Sequence, residues 1–303
     1  MTEHDAVAPA TELSEPAWQN ASRADAVGTT HIRPIALVPL LSVAALLAAL
    51  AALFFYSGNL NGYSFSATQT ITRALPDTFW AMVTVCGSGL GAFALLSLAL
   101  QRRPIWVAAA LATAPIAGAY SNIIKRVVAL PRPAAVLSPD QIHVIGETLR
   151  SNSFPSGHAV TAFALAATIV FASRRPRVVA LWMVPLAILI ALSRIAVGAH
   201  WPADLAGGAA GGWLSGACGV LIVDRWRRWN TPTGIRVMGL VMVGVGIALL
   251  TVDLGYPLAH LWQWALGCVA IVSGLFALFS PRVDLRWVAR VHVSSRTAAT
   301  PLE

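Results

Sequence analysis

The sequence predicts an all-α protein, a polytopic bundle of transmembrane helices. Three observations carry the prediction. Of 303 residues, 57% are hydrophobic and only 11% are charged, whereas a soluble domain carries roughly 25% charged residues. Mean hydropathy is +0.68. Apolar runs approaching the roughly 20 residues that cross a bilayer core recur along the chain.

The elements follow in order. Residues 1–33 are polar, mixed in charge and without apolar periodicity, which predicts a disordered tail. The first span runs from about Pro34 to Tyr56, too long and too far from the start for a signal peptide. Further spans are expected at Phe79–Leu100, Ile105–Leu130, Gly157–Ala172, Val178–Ala199 and Pro202–Val223. Two more follow at Gly234–Val252 and Leu258–Phe279, making eight. The sixth carries Gly207, Gly208, Gly211 and Gly212, small residues that let helices pack closely. Cys86, Cys218 and Cys268 fall inside spans without metal-ligand spacing and read as small buried hydrophobes. His260, beside Trp262 and Trp264, reads as part of an interfacial aromatic belt. Asp140, His143 and Glu147 read as solvated loop residues.

The net charge of +8 would suggest nucleic acid in a soluble protein. Here its distribution suggests orientation, and no nucleic-acid partner is expected. Arg102 and Arg103, then Arg174, Arg175 and Arg177, then Arg225, Arg227 and Arg228 lie in alternate loops. Arg282, Arg286, Arg290 and Arg296 follow the last span. All fall on one side if the chain starts inside, and the positive-inside rule makes that side cytoplasmic. Lys125, Arg126, Arg132, Arg150 and Arg194 break the pattern, because they fall at the outer ends of spans. Charges at such positions are costly and are usually functional.

The outer polar residues form three groups. They are Lys125 with Arg132-Pro133, Pro155-Ser156-Gly157-His158, and Ser193-Arg194 with His200 and Asp204. Lys125 and Arg132 are seven apart, so a helix continuing through them would put both on one face before Pro131 and Pro133 stop it. Ser156 is a candidate N-cap, and a helix N-terminus suits a phosphate. Asp204 lies four residues after His200, so its carboxylate can fix one ring nitrogen and leave the other free to attack. Three cations around two histidines and a carboxylate point to a target with several negative charges. A metal held by His158, His200 and Asp204 is the chemical rival. The adjacent cations would repel a divalent ion.

These residues, in this order and spacing, resemble the three signature motifs of the type 2 phosphatidic acid phosphatase superfamily, over about spans one to six. The resemblance implies His200 as nucleophile, Asp204 orienting it and His158 as general acid. It implies phosphate binding by Lys125, Arg132, Ser156, Gly157 and Arg194, with Pro133, Pro155 and Ser193 as structural support. It further implies no metal, no cofactor and a six-helix core at residues 34–224, leaving two added spans at 225–281 and a basic cytoplasmic tail at 282–303. Soluble haloperoxidase relatives share the triad, but the spans of this chain speak against that reading.

The expectation is therefore an integral membrane lipid phosphatase of a bacterial inner membrane. Both termini would be cytoplasmic and the site periplasmic. The substrate would be a lipid phosphate from the bilayer, with undecaprenyl pyrophosphate first. Phosphatidylglycerol phosphate, phosphatidic acid and lipid A phosphates are alternatives, as is phosphotransfer to a lipid acceptor. A non-enzymatic phosphate-binding protein is the third class.

Overall fold

The computed structural model describes residues 37–282. The expected polar tail at 1–33 and most of the basic tail, including Arg286, Arg290 and Arg296, lie outside them. The described residues are helical, with no strand among them. The helices are α1 (Leu37–Tyr56), α2 (Gly58–Thr72), α3 (Asp77–Gly87), α4 (Gly89–Ser97), α5 (Pro104–Val128) and α6 (Pro133–Val136). After a long loop come α7 (Gly157–Phe171), α8 (Pro176–Ala196), α9 (Pro202–Arg225), α10 (Pro232–Thr251) and α11 (His260–Phe279).

Local chemistry sets the helix starts. α5, α8, α9 and α10 each open on proline. Its ring pre-sets φ, and its missing N–H would have had no partner there. Ser156 caps α7 by accepting from Ala159 N, and Thr231 caps α10 by accepting from Gly234 N at 3.0 Å. Six helices are long and apolar enough to cross a membrane, and α3 with α4 makes a seventh span if the pair is counted as one. α7, with 15 residues, is the eighth apolar segment. The chain is a multi-pass membrane protein.

α9 is the central helix. In its apolar window 78% of residues are buried inside the protein, against 17–39% in the other long spans. It packs on α1, α5 and α7. The small-residue expectation holds here: a Cβ on Gly208 would stand 2.7 Å from Ser156 O, and one on Gly212 would stand 2.4 Å from Val160 O. The two backbones therefore touch, and Ser156 N donates to Asp204 O at 3.0 Å across the same seam.

Four sequence expectations change. The second span is not straight, because α3 and α4 meet at an 80° bend at Ser88. Ser88 caps α4 from within, accepting from Gly91 N at 3.0 Å. Hydropathy does not register such a break. Secondly, α2 was not expected. It is polar, yet Phe65 is fully buried against Trp201 at 5.0 Å between ring centres. Gln69 donates to His143 O and Ile195 O at 2.8 and 3.0 Å. α2 thus lies across the end of the bundle where α8 stops and α9 starts. Thirdly, α5 ends at Val128 with Ala129 in the left-handed region (φ 43°), so Arg132 is not on a continuing helix with Lys125. Fourthly, Cys218 and Cys268 are exposed and only Cys86 is half-buried, so two cysteines face outward from the bundle.

Arg102, Arg103, Arg174, Arg175, Arg177, Arg225, Arg228 and Arg282 are all exposed. Their loops fall at the end opposite α2, as the alternation of helices requires. His143 is not merely solvated: its Nε2 pairs with Asp77 Oδ1 at 2.9 Å. His260 stacks on Trp264 at 6.3 Å, and its Nε2 lies 3.5 Å from Asp253 Oδ1. Asp140 is exposed, and Glu147 is exposed but ties down its loop through its backbone N–H.

Candidate active site

The site lies where α5 and α8 end and α7 and α9 begin. His200 occupies the short link between α8 and α9. Its backbone N and that of Ala199 donate to Arg194 O at 3.2 and 2.9 Å, so the turn folds back over the end of α8. Asp204, in the first turn of α9, accepts from Trp201 N at 2.8 Å and from His200 Nδ1 at 3.1 Å. Ser153 Oγ donates to the same carboxylate oxygen. His200 and Asp204 are 2% and 1% exposed.

Arg132 fixes the tautomer of His200. Its Nη1 lies 3.1 Å from His200 Nε2. A guanidinium can only donate, so Nε2 is the acceptor and the ring proton sits on Nδ1, facing Asp204. Arg132 is itself held by backbone carbonyls, Ser151 O at 2.7 Å and Ala199 O at 3.2 Å. Burial, and then the positive charges of Arg132, Arg194 and Lys125, push the His200 imidazole well below its ordinary range. The ring is neutral at neutral pH, with a lone pair on Nε2.

Most of the remaining candidates stand at or beside the ends of the helices that meet here. His158 is the second residue of α7 and half-buried. The bend between α3 and α4 backs onto it, since a Cβ on Gly87 would lie 3.1 Å from His158 Cδ2. Gly157 opens α7, and a Cβ there would stand 3.6 Å from Lys125 Nζ. Ser156 is fully buried as the cap, with Pro155 buried before it. The N–H groups of Gly157 and His158 head the helix and have no helical partner. Pro133 starts α6. Ser193 Oγ donates to Ile190 O at 2.6 Å within α8. Arg194, 2% exposed, donates to Thr84 Oγ1 and to Tyr256 OH.

Two basic residues of the expected cluster stand outside. Arg126 is exposed. Arg150 is exposed and spends its Nη1 on Ala134 O at 3.1 Å. Sequence reasoning missed Ser153, Thr84 and Tyr256. Ser153 sits three residues before Ser156 in the same turn, a visible neighbour. Thr84 and Tyr256 carried no signal, being distant in sequence from every motif.

Lys125, Arg132 and Arg194 face one carboxylate, Asp204, with a neutral histidine between them. Arg132 and Arg194 are buried and Lys125 is half-buried, and a buried charge is costly unless it is paired. A cluster of three cations beside one carboxylate suits an anionic ligand. Among the described residues, no group of three or more His, Cys, Asp or Glu is arranged to hold a metal ion.

Fold and site together define a helical membrane protein with a buried histidine–aspartate pair beside a cluster of basic side chains at one end of the bundle. Residues 103–229 match the family model of the PAP2 superfamily. Relatives with established names agree. The chain is 40% identical over 128 residues to decaprenylphosphoryl-5-phosphoribose phosphatase of Mycobacterium tuberculosis, covering 42% of this chain and 64% of that protein. It is 34% identical over 120 residues to lipid A 1-phosphatase of Rhizobium etli, covering 36% and 48%. It is 32% identical over 103 residues to undecaprenyl-diphosphatase of Sulfolobus acidocaldarius, covering 33% and 47%. The chain thus covers less than two thirds of the length of each.

Proposed function

We propose that the protein is an integral membrane lipid phosphatase that works through a phosphohistidine and needs no metal. The observation that carries this reading is the state of His200, whose Nδ1 is bound by Asp204 and whose Nε2 lone pair faces the cations. Lys125, Arg132 and Arg194 hold the phosphoryl oxygens, with the Ser156 hydroxyl and the N–H groups at the head of α7. His200 Nε2 attacks phosphorus as Arg132 Nη1 shifts from the ring to a phosphoryl oxygen. The bond from phosphorus to the lipid oxygen breaks, and His158 gives that oxygen its proton. Water then attacks phosphorus, the phosphorus–nitrogen bond breaks and returns its electron pair to His200 Nε2, His158 takes a proton from that water, and inorganic phosphate leaves. Most of the rate comes from positioning and charge stabilisation.

The relatives named above all act, by name, on lipid-linked phosphate, and two of the three names specify a polyprenyl carrier. An apolar groove of about 1020 Å³ between α1, α8 and α9 runs past Leu47, Leu192 and Ile195 to Pro202 at the start of α9. A lipid tail lying there would bring its headgroup to the site. Undecaprenyl pyrophosphate is therefore the first substrate to test, at the periplasmic face of a bacterial inner membrane with both termini in the cytoplasm. Residues 34–224 act as the phosphatase core.

The test is phosphate release by purified full-length protein in detergent with EDTA. Undecaprenyl pyrophosphate, a polyprenyl phosphate, phosphatidic acid, phosphatidylglycerol phosphate and lipid A are offered side by side. The expected outcome is release that survives EDTA and falls at least about a thousandfold in His200→Ala. No release from any lipid by folded protein would leave transfer to a lipid acceptor, or binding alone, as the reading.

A further inference from the structure

Arg132 and Arg194 are both buried, but Arg194 is held from outside the segment that matches the family model. Its Nη1 donates to the hydroxyls of Thr84 in α3 and Tyr256 in the link between α10 and α11, the latter at 2.6 Å. The guanidinium carbon stands 5.8 Å from the centre of the Tyr256 ring. Its Nε is buried with no partner, and a buried donor in that state is unfavourable until something accepts from it. A guanidinium is planar, so fixing one nitrogen with two acceptors aims the others. An anionic oxygen in the pocket would satisfy the Nε donor.

The corner that carries Tyr256 is itself built. Gly255 O accepts from Glu147 N at 3.0 Å, and Asp253 Oδ1 accepts from Gly255 N at 2.8 Å. Gly146 (φ +81°) comes so close that a Cβ would stand 2.3 Å from Gly255 O and 2.8 Å from the Tyr256 ring. The same loop reaches α8 through Ile145 N donating to Val197 O at 3.3 Å. The end of α8, this loop and the α10–α11 link therefore close a ring of contacts around Arg194.

Resting on the phosphatase reading, we propose that Tyr256 and Thr84 are positioning residues that orient Arg194 for the phosphoryl group. The two C-terminal spans then belong to the site, although they carry none of the signature residues. The pair acts through Arg194 and not on the substrate.

The experiment uses full-length protein with Tyr256→Phe, Thr84→Val and Arg194→Ala, singly and combined. Both hydroxyl replacements keep the side-chain shape. Two quantities are measured, kcat/KM for phosphate release and the binding constant for inorganic phosphate by calorimetry, with thermal unfolding as a fold check. Each hydroxyl replacement is expected to weaken both about tenfold with little change in melting temperature. In the Arg194→Ala background neither should cost anything further. Unchanged phosphate binding in Tyr256→Phe and Thr84→Val would overturn the proposal, as would a loss that persists in full without Arg194. If the wild type releases no phosphate at all, the hydrolase reading fails. The calorimetric cycle still decides whether the pair orients Arg194.

Discussion

The two buried arginines sit at different edges of one pocket and are held in different ways. Arg132 rests on backbone carbonyls of the turn before α7 (Ser151) and of the α8–α9 link (Ala199), and on the His200 ring. Arg194 rests on two side-chain hydroxyls from α3 and the α10–α11 link. Backbone carbonyls are present whatever the residue, so the Arg132 edge depends on the turn keeping its path. The Arg194 edge depends on the identity of Thr84 and Tyr256 and on the docking of helices far away in sequence. One edge is local to the signature motifs, and the other is assembled by the whole bundle.

The largest effect should come from the shared centre of the two edges. Asp204→Asn keeps the shape but lets the amide present an N–H to His200 Nδ1, which favours the wrong tautomer. A fall in kcat of about a thousandfold is expected, with KM little changed. A KM effect alone would mean that Asp204 only supports the fold.

Arg132→Ala should cost about a hundredfold in kcat/KM, and it sharpens the comparison through pH. Burial and then Arg132 hold the His200 imidazole below its ordinary range. In the proposed mechanism the neutral ring is the nucleophile, so activity should be lost as pH falls through the His200 value. In the wild type this acid limb should lie below about 6.5, the ordinary imidazole value. Removing Arg132 takes away one cause of the depression and should move the limb toward higher pH. A limb that does not move would remove Arg132 from direct contact with the nucleophile.

The smallest effect belongs to Ser153→Ala. It removes one of three donors to Asp204 Oδ2 and leaves the Trp201 and His200 donors in place. A loss of about tenfold in kcat is expected, with the folded state retained. A loss as large as that of Asp204→Asn would make Ser153 a partner equal to the carboxylate.

What the sequence made legible follows the same division. His158, His200, Asp204, Lys125 and Arg132 stand at or next to helix ends whose positions were set by proline, serine and the length of apolar runs. Their convergence needed only antiparallel spans. α2 was not legible because Asn61, Gln69 and their polar neighbours give no apolar period. Its helix is held because Phe65 packs on Trp201, just before α9, and Gln69 bonds Ile195 O in α8 and His143 O in the long loop. The bend at Ser88 was not legible because an apolar run has the same hydropathy straight or bent. Tyr256 carried no signal, because it lies outside every motif. Only the docking of the C-terminal spans brings it to Arg194.

The proposed mechanism requires a covalent bond between His200 and phosphorus. The direct test is to mix purified protein with a radiolabelled lipid phosphate, quench in alkali within the first turnover, and locate the label by peptide mapping. Label is expected on the His200 peptide, stable to alkali and lost in acid, absent from His200→Ala and persisting longer when His158 is replaced. Rapid phosphate release with no label on any histidine would contradict it and would point to direct attack by water.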